Sequence, residues 1–286
     1  MTAANDRFSA QPVAAPGTGS GLPVTLREVS VSFPTREGGR LVALEDLSLD
    51  LPAGSVTALI GPNGCGKSTA LRVIAGLLAP DRGTVGLDGG AVPHPGDGRV
   101  GLVFQQPRLI PWLSTFDNVA LPLALARVAP DERSARAREA LGRVGLAAAA
   151  RVRPRDLSGG MAQRAALARA LVSDPPVLLL DEPFSALDAL TREAFDSELQ
   201  LLWMERPMTV LLVTHAVSEA VRLADRIVVL TSRPGRVAKI VPVDLPRPRP
   251  VALVGDPQAA AIETEVRDAL AGVRPAELVS WTEGAT

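Results

Sequence analysis

At 286 residues, with 47% hydrophobic and 21% charged side chains, the chain is long enough for two domains or for one domain with an inserted subdomain, and its composition is that of a protein that buries a core. A formal net charge of −1 supplies no long-range basic field, which argues against nucleic acid as a partner, and the single cysteine, Cys65, excludes an internal disulfide framework. No apolar run reaches the roughly 18 residues that span a bilayer, and the first 22 residues lack the basic start and apolar stretch of a signal peptide, so a soluble chain is expected, linked to any membrane only through a partner.

Residues 1–22, rich in Ala, Pro, Gly and Ser, read as a disordered tail. Val29, Val31 and Phe33 then alternate with polar residues, as do Leu47, Leu49 and Leu51, which predicts half-buried strands. "VTALIGPNGCGKSTALRVIAGLL" reads as a buried strand, a glycine turn and a helix, and "GTVGLDG" and "GRVGLVF" add strands. From about Pro107 to Ser173 the spacing of Ala, Leu and Arg is helical. The apolar strands "VLLLDEP" and "TVLLVTH" follow, separated by a helix around "LTREAFDSELQLLW", and this alternation implies a parallel α/β sheet. "RIVVLTSRPGRVAKIVPVDL" reads as a strand pair, and a Pro/Arg stretch at 246–250 leads to one terminal helix over Gln258 to Ala271. Arginine makes up 28 of the 30 basic residues, and most of these are expected on solvated surface.

Gly61 to Ser68 fit the pattern G-x-x-x-x-G-K-[ST] between an apolar strand and a helix, the context of a phosphate-binding P-loop. Glycines let successive amides turn toward phosphate oxygens, and the following helix adds its positive N-terminus. Lys67 supplies a point charge for the β- and γ-phosphates and Ser68 a hydroxyl for Mg²⁺. Asp181, at the end of "VLLLD", is the second carboxylate that such a metal needs, and Glu182 next to it is placed to polarise an attacking water, although adjacent acids at a strand end also serve as helix caps. His215 ends the strand "TVLLVTH" and so belongs to the same sheet edge, within reach of the γ-phosphate or the water. Gln105, at the end of "GLVFQ", offers its amide to metal or water, while His94 lies in a Pro/Gly-rich loop and reads as plain surface. Phe33 has two readings from its alternation: a core side chain, or a ring that stacks on adenine. Cys65, between the cradle glycines, either fills space or lies at the nucleotide, where alkylation would block turnover.

"LSGGMAQR", residues 157–164, is a second glycine turn opening a helix, and so a second potential anion site. One P-loop already satisfies one nucleotide, so the spare turn suggests a nucleotide approached from a second copy of the chain.

In their order along the chain these stretches resemble the ATP-binding-cassette (ABC) ATPases: Gly61, Pro62, Asn63, Gly64, Cys65, Gly66, Lys67, Ser68 and Thr69 as Walker A, Gln105 as Q-loop, Leu157 to Met161 as signature, Val177 to Glu182 as Walker B, Ser185 to Asp188 as D-loop and His215 as H-loop. The resemblance implies an α/β P-loop NTPase fold with a RecA-like core, an antiparallel β subdomain and an inserted α-helical subdomain at about 107–172, within an ATPase domain over 23–245 and followed by a C-terminal tail over 246–286. It implies ATP and Mg²⁺ as cofactors, with Ser68, Gln105 and Asp181 at the metal and Glu182, His215 and Gln105 as catalytic groups. Phe33, Gly61 to Thr69, Ser158, Gly159, Gly160 and Asp188 would contact nucleotide, with Ser158, Gly159 and Gly160 doing so in trans in a head-to-tail homodimer. It further implies a cytoplasmic, peripheral position on the inner membrane, docked on an integral permease through "QQPRLIPWLSTFDNV", where Trp112 and Leu113 either line the contact or pack internally, with an extracytoplasmic substrate-binding protein as indirect partner. "FQQPRLIPWLSTFDNVALPL", "LSGGMAQR" and "TSRPGRV" are similar to the importer branch for nitrate, sulfonates such as taurine, and bicarbonate. Met161 stands where Gln is commoner in the signature, and Ala216 where an acid often follows the H-loop histidine. A soluble ABC ATPase, or an importer ATPase for bicarbonate or a pyrimidine precursor, is the alternative.

Overall fold

The computed structural model describes residues 21–36, 38–91, 98–185, 187, 189–250 and 256–273; His94, Asp188 and most of the stretch read as an N-terminal tail lie outside them. Two long strands, β1 (Val24–Pro34) and β2 (Arg40–Leu51), lead into β3 (Val56–Ile60), helix α1 (Lys67–Ile74) and the strands β4 (Arg82–Leu87), β5 (Gly90–Ala91) and β6 (Val100–Val103). Helices α2 (Thr115–Leu125), α3 (Pro130–Arg143) and α4 (Gly159–Leu171) follow. The chain then alternates β7 (Val177–Asp181), α5 (Ala189–Glu205), β8 (Thr209–Val213), α6 (Val217–Leu223) and β9 (Arg226–Leu230) before β10 (Val237–Pro242) and α7 (Pro257–Gly272).

The strands form an antiparallel sheet in the order β2-β1-β4-β5 and a six-stranded sheet in the order β10-β9-β3-β8-β7-β6, with β10 antiparallel on the edge and the other five parallel. This is the expected α/β architecture. The parallel strands read as unbroken apolar runs because both of their faces are covered. Side chains alternate between faces, so Val177 and Leu179 of β7 pack with Leu71 and Ile74 of α1 and with Leu26 and Leu44 of the antiparallel sheet. Leu178 and Leu180 join the other layer, with Val119, Leu141, Leu167, Phe195, Val221 and Val266 from α2 to α7. Helices α2, α3 and α4 pack on one another, and α4 lies against β6.

The pairing register brings the carboxyl ends of four strands to one level. Leu59 pairs with Val213, Asp181 with Val213, and Val103 with Leu180, so the segments after β3, β6, β7 and β8 emerge side by side. In an open parallel sheet this edge is where ligands bind.

Two features depart from the composition-based reading. Gly21 and Leu22, read as tail, lie against the domain: Gly21 is buried, and Leu22 O accepts a hydrogen bond from Thr209 Oγ1 at 2.7 Å. The stretch after 245 is likewise fastened down, because Arg249, 3% exposed, donates to Val221 O (2.8 Å), Ala224 O (2.6 Å), Val243 O (3.2 Å) and Leu245 O (2.9 Å). This arginine is a buried clasp on the end of α6 rather than solvated surface, and composition could not single it out from the other arginines.

Candidate active site

The turn between β3 and α1 closes on left-handed glycine. Gly66 caps the helix at φ 105°, a region that side chains disfavour, and a Cβ there would stand 2.5 Å from Leu44 Cδ2. Helix α1 therefore presents its positive end directly to the turn. Lys67 Nζ folds back over the loop and donates to Gly61 O at 2.9 Å and Pro62 O at 3.2 Å.

Ser68, in the first turn of α1, donates its hydroxyl to Asp181 Oδ1 at 2.9 Å. Asp181 is buried, and burial pushes its carboxyl above the usual range; the Ser68 hydrogen bond, Arg72 and Lys67 pull it down, while Glu182 adds to the rise. A buried carboxylate beside a hydroxyl offers oxygen ligands of the kind a hard cation such as Mg²⁺ takes, and a cation there would offset the desolvation.

Glu182 follows at φ 45°, an uncommon conformation for a residue with a side chain, held by its amide on Val213 O at 2.9 Å. Its Oε2 is the meeting point of two strand ends: Gln105 Nε2 donates to it at 3.1 Å, and His215 Nδ1 stands 3.7 Å away. Phe33, Asn63, Gly64, Gly66, Lys67, Ser68, Thr69 and Glu182 line one cleft of about 270 Å³. Phe33 is half-buried there, at once against the antiparallel core and on the cleft wall. Ser158 caps α4 by accepting from Met161 N at 3.2 Å, and Ser158 and Gly159 are exposed; neither they nor Gly160 are among the described residues lining the cleft.

The chain matches the ABC transporter family model over residues 44–185. It is 47% identical to a taurine import ATP-binding protein of Pseudomonas aeruginosa, over 78% of this chain and 84% of that one. It is also 47% identical to an aliphatic sulfonates import ATP-binding protein of Rhodopseudomonas palustris, over 86% of this chain and 82% of the relative. The chain belongs to the ABC transporter family. It is an ATPase of that family, and its fold superposes on a dimeric ATP-binding cassette solved in a post-hydrolysis state with ADP and phosphate, with a TM-score of 0.69 at 35% identity, over 77% of this chain and 98% of that one.

Within this ABC cassette the side chain of Cys65 takes the first of its two readings and fills space instead of lying at the nucleotide. The Cys65 side chain is 1% exposed and packs in the core beside Leu230, where burial pushes its thiol above the ordinary range against the pull of Lys67. Only its backbone belongs to the cradle, because the chain reverses at Gly64 and Gly66 and turns that side chain inward.

The sequence also missed supports that have no motif of their own. Asn118 in α2 accepts from Ile110 N at 2.7 Å and donates to Ile110 O and Ser114 O, while Arg169 in α4 donates to Pro107 O and Arg108 O, both at 2.8 Å. Together they fasten the segment after Gln105 and leave Trp112 74% exposed, not packed internally. Leu41, Ala43 and Arg233 line the cleft as well, and nothing in the P-loop pattern points to them.

Proposed function

We propose that the protein is the ATP-hydrolysing subunit of a membrane importer that takes up a small anion, or a sulfur or nitrogen source of the sulfonate or taurine type, through a separate permease. The observation that carries this reading is that the described residues of one chain assemble one wall of a nucleotide site: Lys67, Ser68, Asp181 and Glu182 meet at the sheet edge, whereas Ser158 and Gly159 sit exposed at the start of α4. Two copies placed head to tail would bring Ser158, Gly159 and Gly160 of one to the ATP held by the other. That a cassette to which the chain is similar is dimeric supports pairing of two copies, and the names of the taurine and sulfonate relatives support the substrate class.

In this reading Lys67 and the loop amides hold the β- and γ-phosphates and Phe33 stacks on adenine. Bound Mg²⁺, held by Ser68, Asp181 and Gln105, would neutralise charge on the β- and γ-phosphate oxygens. Glu182 orients a water and takes its proton as that water attacks the γ-phosphorus, the bond to the β-phosphate oxygen breaks and ADP leaves. Gln105 and His215 keep the carboxylate aimed. The exposed Trp112 and its fastened segment form the face for an integral permease at the cytoplasmic side of the membrane, so substrate recognition falls to an extracytoplasmic binding protein.

Mixing Lys67→Ala and Ser158→Arg subunits, each inactive alone, tests the core of this proposal. Heterodimers keep one intact composite site and recover ATPase activity; equal disruption of both sites overturns the shared-site reading. Co-purifying the permease and its binding protein, and screening the latter against taurine, alkanesulfonates, nitrate and bicarbonate, tests the substrate class.

A further inference from the structure

The stretch "TSRPGRV", similar to that of the importer branch, supplies Arg233 to the cleft wall, and the proposed chemistry leaves that residue without a role. It connects β9 to β10 and is closed on itself: Thr231 Oγ1 donates to Pro234 O at 2.8 Å and accepts from Arg236 N at 3.0 Å. Its tip reaches the P-loop. Arg233 Nε donates to Gly64 O at 3.0 Å, and Arg233 Nη2 fills the space beside Gly64, 2.5 Å from where a Cβ would stand. Gly235 lies so close to the next peptide that a Cβ there would meet Cys65 O at 2.0 Å. The same residue donates to Ala43 O at 2.9 Å and accepts from Glu45 N at 3.2 Å, and Arg236 pairs with Glu45 at 2.6 Å. The loop is thus anchored on β2 and pressed against the outside of the phosphate cradle.

We propose that the 231–237 loop is an external brace for the phosphate cradle, with Arg233 as a positioning residue that sets the affinity for the nucleotide's phosphates. The peptide between Gly64 and Cys65 is planar, so fixing its carbonyl fixes its amide on the opposite side. Arg233 holds the carbonyl, and Cys65 N donates to Pro62 O at 3.2 Å, so this unit is pinned at both ends. The amides of Gly66 and Lys67 follow it in the chain, and their direction is inherited from it. Arg233 also lines the cleft with Phe33 and Lys67. A charge-assisted bond to a neutral carbonyl is strong enough to hold a glycine turn that would otherwise sample other conformations.

The inference rests on the proposed ATP site, and its test separates the two. Equilibrium binding of a fluorescent ATP analogue and steady-state ATPase kinetics are measured for wild type, Lys67→Ala, Arg233→Ala, Arg233→Lys and Arg233→Gln. The expected result is a rise of about tenfold in Kd and KM for Arg233→Ala with kcat changed less than about threefold, and partial rescue by both Lys and Gln, which keep a donor for Gly64 O. Unchanged Kd and KM in Arg233→Ala overturn the brace while leaving the ATP site standing. Rescue by Lys with none by Gln overturns positioning in favour of direct charge on the phosphates. A parallel fall of kcat and melting temperature in all three Arg233 variants, with KM unmoved, assigns the loop to stability alone and also overturns the proposal. Failure of wild type itself to bind the analogue, equal to Lys67→Ala, overturns the nucleotide reading and the brace with it.

Discussion

Gln105 and Glu182 are joined by a 3.1 Å hydrogen bond from amide nitrogen to carboxylate oxygen, which ties the segment after β6 to the end of β7. His215 approaches the same oxygen at 3.7 Å from the end of β8. One carboxylate thus reports on three strand ends. Replacing it with an amide keeps its shape but removes the base, so Glu182→Gln is expected to bind ATP and dimerise while turning over at least about 10²-fold more slowly. Gel filtration with ATP, beside a phosphate-release assay, checks both halves; undiminished hydrolysis counts against the assigned role.

Cys65 is expected to react slowly. Its thiol is buried and its pKa raised, so both access and thiolate fraction are low at neutral pH. A maleimide at pH 7 should label native protein far more slowly than urea-unfolded protein, with ATP adding little protection. Fast labelling of the native chain that ATP blocks would place the thiol in the cleft instead.

Glu219 in α6 makes stability depend on pH. Burial pushes its carboxyl up to about 7, against the hydrogen bond from Thr214 Oγ1 at 3.1 Å and the charge of Arg192, with Glu182 adding to the rise. Its ordinary value is 4.5, so between 4.5 and about 7 the folded chain retains a proton that the unfolded chain releases. Stability from this group is therefore present below the lower value and lost as pH rises through the upper one, by about 3 kcal/mol across the window. Urea unfolding at pH 5 and pH 8 should show that loss in wild type relative to Glu219→Gln; parallel pH profiles for the two proteins would dismiss it.

Arg249 stays charged at neutral pH although burial brings its pKa down to about 10. Removing its guanidinium leaves Val221 O, Ala224 O, Val243 O and Leu245 O without that donor. Arg249→Ala is expected to cost roughly 3–5 kcal/mol, measured by urea unfolding. A loss below about 1 kcal/mol would mean that water replaces the clasp.

Much of this protein was legible in one dimension. The runs "VTALI", "VLLLD" and "TVLLV" are apolar on both alternating faces, which demands a covered parallel sheet, and β3, β7 and β8 are that sheet's central strands. The spacing of Gly61, Gly66, Lys67 and Ser68 is local, so chain geometry alone makes the turn, and a carboxylate at a strand end announces its neighbour across the sheet. These features need only contacts within a few residues or the period of a strand.

Long-range register decided the rest. Whether Ser68 meets Asp181, 113 positions away, depends on β3, β8 and β7 lying adjacent and in step. Whether an arginine is surface, clasp or brace depends on which carbonyls surround it, and Arg249 and Arg233 carry the same side chain into a core and onto a phosphate turn. The direction in which Cys65 points is set by the left-handed glycines on either side of it and by the sheet packed beneath. Composition and period determine which elements form; the packing of those elements determines which backbone groups each polar side chain finds, because a buried hydrogen bond forms only where the fold delivers its partner.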